Sequence, residues 1–313
     1  MALNTTGTAT LSDEMKTYYD RLLLVRTVPV LLHARFGQKR RIPMHGGKTV
    51  EFRRFAGLAT ATTPLTEGAL YTALKDLTVT AITATIAQYG NAVGFSDLVA
   101  TTTFDPILSE TTEILGENAG QTIDELVRDV LVAGTAVIYA GAATSRGTVA
   151  SSHTLGVAEI REAVLTLKLG RAKKIDGFFH AIVHPRVAFD IQATSEWISA
   201  NQYAGSQRIF SGALGTLYGV MFWESDVTKV FVDAGVGSTV DVYVSLFFGR
   251  DAYGVIDLAG HNLESIYKAK GSAGTADPLS QQQTMGWKVA FVTKILNDAF
   301  MVRVESSTST GAN

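Results

Sequence analysis

The segment 46–97 constrains the fold most, because its ends are rich in strand-forming residues and its middle is not. Thr, Val and Ile crowd both ends, whereas residues 56–68 are mostly small and include Pro64. This composition predicts a long two-stranded hairpin with a turn-rich tip. Few large apolar residues lie between Phe55 and Lys75, and an isolated hairpin is only marginally stable in water. The hairpin therefore needs a surface from another part of the chain or another subunit.

Composition limits the possible classes of protein. The 313 residues suffice for one elaborate domain or two ordinary ones. Cysteine is absent, which excludes disulfides, cysteine nucleophiles and thiolate metal sites. The first twelve residues lack the pattern of a signal peptide, and no stretch approaches the ~18 apolar residues of a membrane span. We therefore expect a protein that is not exported and has no membrane partner.

Charge is distributed unevenly along the chain. Residues 1–54 hold ten basic and four acidic side chains, whereas residues 55–313 hold seventeen basic and twenty-five acidic ones. Residues 38–43 form a basic extended link into the hairpin. A basic segment before an acidic body indicates contact with nucleic acid, docking onto sister subunits, or a solvated surface. Charge alone leaves these three alternatives open.

The rest of the chain predicts an α+β fold. Apolar residues at helical spacing predict a helix over 106–139, roughly 45–50 Å long. Residues 177–258 alternate short strands and helices, as a compact mixed sub-domain does. Residues 287–293 and 300–305 predict a closing β-hairpin.

Motifs for metal or phosphate binding are incomplete. His180 and His184 are the closest histidine pair, but four positions along a strand separate them by about 13 Å, too far to share one ion. A phosphate-binding loop ending at Lys48 would need glycine where Ile42 stands. We expect no metal site and no cofactor.

The acidic residues also form no recognisable catalytic set. Asp124, Glu125 and Asp129 fall within the predicted long helix, where we expect a solvated or subunit-facing side. Glu67 lies in the hairpin tip, where no cleft surrounds it. We therefore expect no catalytic residues and no enzymatic activity.

Short stretches spread along the chain support a more specific interpretation. In order they are Pro64-Leu65-Thr66-Glu67-Gly68, Gln88-Tyr89-Gly90, Ser96-Asp97, Thr122-Ile123-Asp124, Ile182-Val183-His184-Pro185, Phe248-Gly249-Arg250-Asp251-Ala252-Tyr253-Gly254 and Gly286-Trp287-Lys288. With these stretches the sequence resembles the major capsid proteins of tailed bacteriophages with the Hong Kong 97-type fold. Within that family it is most similar to the branch of the phage N-four coat protein.

The resemblance implies a division of the chain. It assigns residues 1–45 to an N-terminal arm and 46–97 to an extended loop, the β-hairpin that lies over a neighbouring subunit. Residues 98–176 and 259–313 correspond to the peripheral domain with its long spine helix. Residues 177–258 correspond to the axial domain around the symmetry axes.

The resemblance also implies which residues take part in assembly. Those expected at contacts between subunits are Arg40, Arg41, Arg53, Arg54, Pro64, Leu65, Glu67, Tyr71 and Lys75. Some family members link a lysine of this loop covalently to an asparagine of another subunit. No partner motif for Lys75 is matched, so that chemistry is not carried over.

The function implied is self-assembly into an icosahedral shell of pentamers and hexamers. The shell would enclose double-stranded DNA through non-specific contacts, with separate scaffolding, portal and decoration proteins as partners. It would assemble in the host cytoplasm and become part of the virion. The alternatives are an encapsulin-like nanocompartment that holds cargo enzymes, an enzyme built on the mixed sub-domain, and a tail or decoration protein.

Overall fold

The computed structural model describes most of the chain. The described residues are 23, 31–43, 46–65, 67–68, 74–102, 107–197, 214–258, 263–272 and 277–310. Their α-helices are α1 (Asp97–Thr102), α2 (Ile107–Val132), α3 (Val157–Leu169) and α4 (Pro185–Gln192). Their strands are β1 (Gln38–Ile42), β2 (Thr49–Phe55), β3 (Val79–Thr85), β4 (Ala87–Ser96), β5 (Val137–Tyr139), β6 (Phe179–Val183), β7 (Gly215–Leu217), β8 (Val220–Glu224), β9 (Val230–Phe231), β10 (Val242–Phe248), β11 (Tyr253–Leu258), β12 (Glu264–Lys268), β13 (Gln282–Ile295) and β14 (Met301–Ser306).

The strands of the described residues form three sheets. A seven-stranded sheet has the order β5-β14-β10-β6-β8-β7, with β9 also paired to β10. A five-stranded sheet has the order β1-β11-β13-β12, with β4 on the other side of β13. Strands β2 and β3 form a separate two-stranded sheet. Helices and sheets together confirm the predicted α+β fold.

Helix α2 is packed against both large sheets. Its buried residues Leu115, Ile123 and Val127 belong to one apolar cluster that includes Trp287 of the five-stranded sheet and Leu246 of the seven-stranded sheet. Helices α3 and α4 contribute to a second cluster together with seven-stranded-sheet residues. At 26 residues, α2 is about 39 Å long. It is the common support of the two sheets.

The predicted helix over 106–139 is wrong at its C-terminal end. Helix α2 ends at Val132, and residues 137–139 form β5, which pairs in parallel with β14. At Gly134 an added Cβ would lie 2.6 Å from the Met301 methyl group, and the Asp298 carboxyl group accepts the Thr135 N–H at 3.1 Å. The helical spacing cannot reveal these contacts, because Met301 and Asp298 are more than 160 residues away.

The predicted closing hairpin over 287–293 and 300–305 is also wrong. Strand β13 lies in the five-stranded sheet, whereas β14 pairs with β10 in the seven-stranded sheet. The N–H groups of Leu296 and Asn297 both donate to the Ala252 carbonyl, where the chain passes from one sheet to the other. Strand patterns identify strands correctly here, but not their partners.

The Asp124 side chain is buried inside this framework. Its carboxyl oxygens accept the backbone N–H of His33 at 2.7 Å and lie 2.6 Å from His33 Nδ1. The Tyr253 hydroxyl donates to the His33 carbonyl, and burial raises the pKa of Tyr253, so the hydroxyl keeps its proton. The expectation that Asp124 faces solvent or another subunit is therefore wrong. Residues 31–36 of the same chain cover it.

Removing the Asp124 carboxyl group should destabilise the subunit strongly. Asp124→Ala leaves buried N–H groups and the His33 ring without their acceptor, so we expect the free energy of unfolding to fall by about 3–5 kcal/mol. The matched control is Asp129→Ala on the same helix, whose side chain is half-exposed and should cost at most about 1 kcal/mol. Urea unfolding of the unassembled subunit measures both. Equal effects would contradict the anchoring role of Asp124.

His180 and His184 have separate structural partners. His180 lies buried in β6, where its Nδ1 accepts the Trp223 indole N–H at 2.9 Å. His184 is the N-cap of α4, and its Nδ1 accepts the backbone N–H of Arg186 at 3.2 Å. Both side chains are thus used in packing and helix capping.

Acid should destabilise the subunit partly through His180. Burial lowers the pKa of its imidazole, so below about pH 6.5 the unfolded chain binds more protons than the folded chain. The stabilisation by neutral His180 is present above that pH and is lost as pH falls through the lowered pKa. His180→Gln retains an acceptor for Trp223 and should lose less stability than wild type between pH 7.5 and 5. Urea midpoints at both pH values test this, and an equal loss would contradict it.

Candidate assembly surface

The extended loop has an ordered base. Strands β2 and β3 pair in one continuous antiparallel register from Thr49 opposite Thr85 to Phe55 opposite Val79. After Ile86 the chain enters β4, which pairs along β13 in the five-stranded sheet. The predicted hairpin is therefore present, and the last part of segment 46–97 belongs to the body of the subunit.

The base of the loop packs on its own chain. Phe52 is only 4% exposed and clusters with Ile42, Ala84 and Ile256. A Cβ at Gly254 would lie 2.8 Å from the Phe52 ring, so this close approach requires glycine. Arg54 adds a hydrogen bond of 3.0 Å from Nη1 to Asn297 Oδ1. The sequence analysis required a surface for the hairpin to pack on, and for the base of the loop the same subunit supplies it.

The tip of the loop is different. Residues 56–65 and 74–78 form no strand and are exposed throughout. The leucines Leu58, Leu65, Leu74 and Leu77 are 60–83% exposed. Isolated exposed apolar residues are ordinary, but a concentration of them on one projecting segment indicates a binding surface.

The structure separates the predicted assembly residues into two groups. Pro64, Leu65, Glu67 and Lys75 are exposed on the tip, and Tyr71 lies outside the described residues. The four arginines lie nearer the body. Arg40 places its guanidinium 4.7 Å from the Phe52 ring centroid, Arg41 belongs to β1, Arg53 binds Glu51 at 2.9 Å, and Arg54 binds Asn297.

The basic link over 38–43 is an element of the body. Residues 38–42 form β1, which pairs in parallel with β11, and Ile42 is buried. Burial raises the pKa of Asp257, whereas Arg41 and Lys39 act in the opposite direction. Part of the basic charge of residues 1–54 is thus used against the same subunit.

Sequence reasoning missed three further exposed leucines, Leu58, Leu74 and Leu77. The signal was present, since each stands among small or polar residues in a segment with little else to bury. It also missed Phe52, whose burial depends on Gly254, about 200 residues later.

The subunit architecture defines a class of protein. A spine helix between two sheets, with a projecting hairpin, is the α+β arrangement of Hong Kong 97-type capsid subunits. The capsid protein of cyanophage Pam1 matches with a TM-score of 0.67 and 15% identity over 99% of this chain and 100% of that chain. The capsid of Ralstonia phage GP4 matches with a TM-score of 0.68 and 17% identity over 89% of each chain. The acid-stable capsid of Helicobacter pylori bacteriophage KHP30 matches with a TM-score of 0.65 and 11% identity, over 86% of this chain and 87% of that chain.

The sequence itself establishes the family. Residues 78–304 match the family model described as phage capsid protein, and the chain belongs to this family. It is a major capsid protein, a structural protein that oligomerises into the shell of the virion. No curated protein sequence matches the chain. The predicted family, fold and function are confirmed, and the narrower phage N-four branch stays a prediction.

The described residues also bear on metal binding and membrane insertion. Within them, no group of three or more His, Asp or Glu side chains has the arrangement of a metal site. None of the helices in the described ranges combines the length and hydropathy needed to cross a membrane.

Truncation of Phe52 should distinguish the base of the loop from its tip. Phe52→Ala opens a cavity against Gly254 and should lower the free energy of unfolding by about 3–5 kcal/mol. Leu74→Ala removes a side chain that is 83% exposed and should change it by less than about 0.5 kcal/mol. Urea unfolding of the unassembled subunit compares them. A large loss from Leu74→Ala would show that the tip also packs on its own chain.

Proposed function

We propose that the tip of the extended loop packs on a neighbouring subunit of an icosahedral shell that encloses double-stranded DNA. The observation that carries this proposal is the cluster Leu58, Leu65, Leu74 and Leu77, exposed on a segment whose base is firmly held. Because the base is fixed to its own subunit and the tip is not covered by it, the tip is available to a neighbouring subunit. A tip with exposed leucines is stabilised when another surface covers it.

The expected energy is sufficient for assembly. Full burial of a leucine side chain contributes about 1.5–3 kcal/mol, so even partial burial of four leucines is a substantial fraction of one contact. A standard interface buries roughly 800 Å² per partner. Each subunit of a closed shell makes several such contacts, so no covalent link is required. Pro64, Glu67, Tyr71 and Lys75 are proposed to lie at the same contact.

The proposed domain division agrees with the sheets in part. The five-stranded sheet and α2 support a peripheral domain over 98–176 and 259–313, and the seven-stranded sheet supports an axial domain over 177–258. Strands β5 and β14 join the seven-stranded sheet from outside 177–258, and β1, β4 and β11 join the five-stranded sheet from outside 98–176 and 259–313. The chain passes between the two large sheets three times, after β4, after β10 and after β13, so the proposed domains share strands.

Further partners and roles complete the proposal. The basic N-terminal segment 1–54 contacts neighbouring subunits, and DNA is held by non-specific charge interactions. Scaffolding, portal and decoration proteins act as separate partners in a host cytoplasm. The subunit has no enzymatic activity of its own. Family membership and the basic composition of residues 1–54 support these statements.

Polar substitution of the tip tests the central contact. A variant with serine at Leu58, Leu65, Leu74 and Leu77 should unfold like wild type but form no stable closed shells in negative-stain micrographs. The matched control is Leu279→Ser, which changes a leucine that is 76% exposed outside the tip, and it should assemble normally. Normal shells from the tip variant would exclude the proposed contact.

The contents of native particles test the proposed cargo. Purified shells should protect double-stranded DNA from added nuclease and should contain no stoichiometric cargo enzyme. Nuclease-treated particles are opened, and their nucleic acid and protein are then measured. Packaged enzyme in place of DNA would favour the encapsulin-like alternative.

A further inference from the structure

The seven-stranded sheet has two chemically different ends. Strands β6 and β8 run parallel, and β10 runs antiparallel to β6. The segments that precede β6 and β8 therefore share one end of the sheet with the segment that follows β10. The segment that precedes β10 lies at the opposite end, where β6 and β8 terminate.

The end at which β6 and β8 begin is predominantly basic. We call it the basic end; its basic residues are Lys168, Arg171, Lys173, Lys174 and Arg250. The acidic residues that face it are Asp176, Asp251 and Asp298. The Asp298 carboxyl group already accepts the Thr135 N–H. Basic side chains thus outnumber acidic ones where α3 ends and β6 begins.

A groove lies along α3 beside this end. It has a volume of about 490 Å³ and is lined mainly by Arg161, Glu162, Leu165, Lys168 and Tyr218. Leu165 and Tyr218 are about half exposed, at 55% and 48%. In the described residues, no carboxylate lies within salt-bridge distance of Arg161 or Lys168. The groove therefore combines an apolar floor with two cations, Arg161 and Lys168, against one carboxylate, Glu162.

Tyr218 reaches this groove from the two-residue turn between β7 and β8. Its φ is 50° and that of Gly219 is 80°, because the favoured hairpin turns of type I′ take positive φ at both central residues. The turn places the Tyr218 ring 5.8 Å from the Arg161 guanidinium. The exposed Tyr218 ring thus adds an aromatic face beside a cation in the groove.

The opposite end presents an acidic loop. Residues 232–241 precede β10, and Val232 and Val236 are 70% and 46% exposed there. The loop carries Asp233 and Asp241, whose carboxyl oxygen accepts the Asp233 N–H at 3.0 Å.

Other charges at this end agree with the acidic loop. Glu224 and Asp226 are exposed at the end of β8. Of the basic residues facing this end, Arg146 pairs with Glu305 and Lys229 lies 3.6 Å from Asp129. The exposed Arg186 donates to the neutral Tyr243 hydroxyl and keeps its charge, so carboxylates remain in excess. The acidic loop thus presents valines flanked by carboxylates, the complement of the groove.

We propose that the groove along α3 binds the 232–241 loop of a second copy of this chain, head to tail. The groove runs along α3 toward the basic end, where Tyr218 lies, and the loop lies at the opposite end of the sheet, so each copy offers one groove and one loop. Repeated contacts of this kind close into a ring when the rotation permits. The contact rests on the proposed shell function, but it does not involve the extended loop. It would join subunits within one capsomer.

Charge reversal with rescue tests this contact. Arg161→Glu with Lys168→Glu makes the groove acidic, and Asp226→Lys with Asp233→Lys makes the loop end basic. Each double variant should raise the concentration needed for ring formation at least about tenfold, because like charges then meet. The variant with all four substitutions restores complementarity and should return within about threefold of wild type. Sedimentation velocity measures the rings, and Lys270→Glu, an exposed reversal elsewhere, is the control.

Mixing the two double variants gives an independent test. At a concentration where wild type just forms rings, neither variant should form them alone. The acidic groove of one fits the basic loop of the other, so the mixture should associate at that concentration. Because the two subunits must alternate, the mixture should form rings with even numbers of subunits and no five-membered ring. Recovery on mixing shows that both variants are folded.

The results separate this contact from the extended-loop contact. The groove contact is overturned if both double variants form rings as readily as wild type. It is also overturned if ring formation recovers neither in the variant with all four substitutions nor in the mixture. Closed shells from the tip-serine variant would overturn the extended-loop contact and leave the charge-reversal results unaffected.

Discussion

The packing of α2 against both large sheets is the constraint on which the rest of the subunit depends. The Asp124 carboxyl group within this helix holds the segment 31–36 through His33, and Tyr253 closes the contact from β11. A buried carboxyl group is costly unless its oxygens are satisfied. Its partners here, His33 and Ala34, lie about 90 residues away. Tyr253, about 130 residues away, donates to the His33 carbonyl, so one site fixes the entry to β1, the helix and a sheet together.

Under the proposed function, this framework lets one hairpin serve two purposes. Phe52 and Arg54 attach its base to the subunit through contacts with Gly254 and Asn297. The tip beyond Phe55 has no such attachment in the described residues. An assembly element binds more tightly when it is already oriented. The ordered base reduces the conformational entropy that is lost when the tip docks. The division between base and tip therefore suits a subunit that folds first and assembles later.

The two proposed contacts between copies would be stabilised by different types of interaction. The tip presents leucines, whose burial is non-directional and scales with area. The groove along α3 and the acidic loop present charges, which fix orientation and partner more than affinity. A shell needs both properties, because its subunits must associate strongly and in one geometry only. The opposite ends of the seven-stranded sheet make the charged contact directional.

The sequence alone determined the local elements: the hairpin of 46–97, most of the long helix within 106–139, and strands at 287–293 and 300–305. Short-range periodicity carries that information. Tertiary structure decided the burial of Asp124, the end of α2 near Gly134 and the separation of β13 from β14. It also decided which half of the hairpin is covered. Each of these outcomes depends on partners about 40 to 200 residues away, which no local pattern specifies.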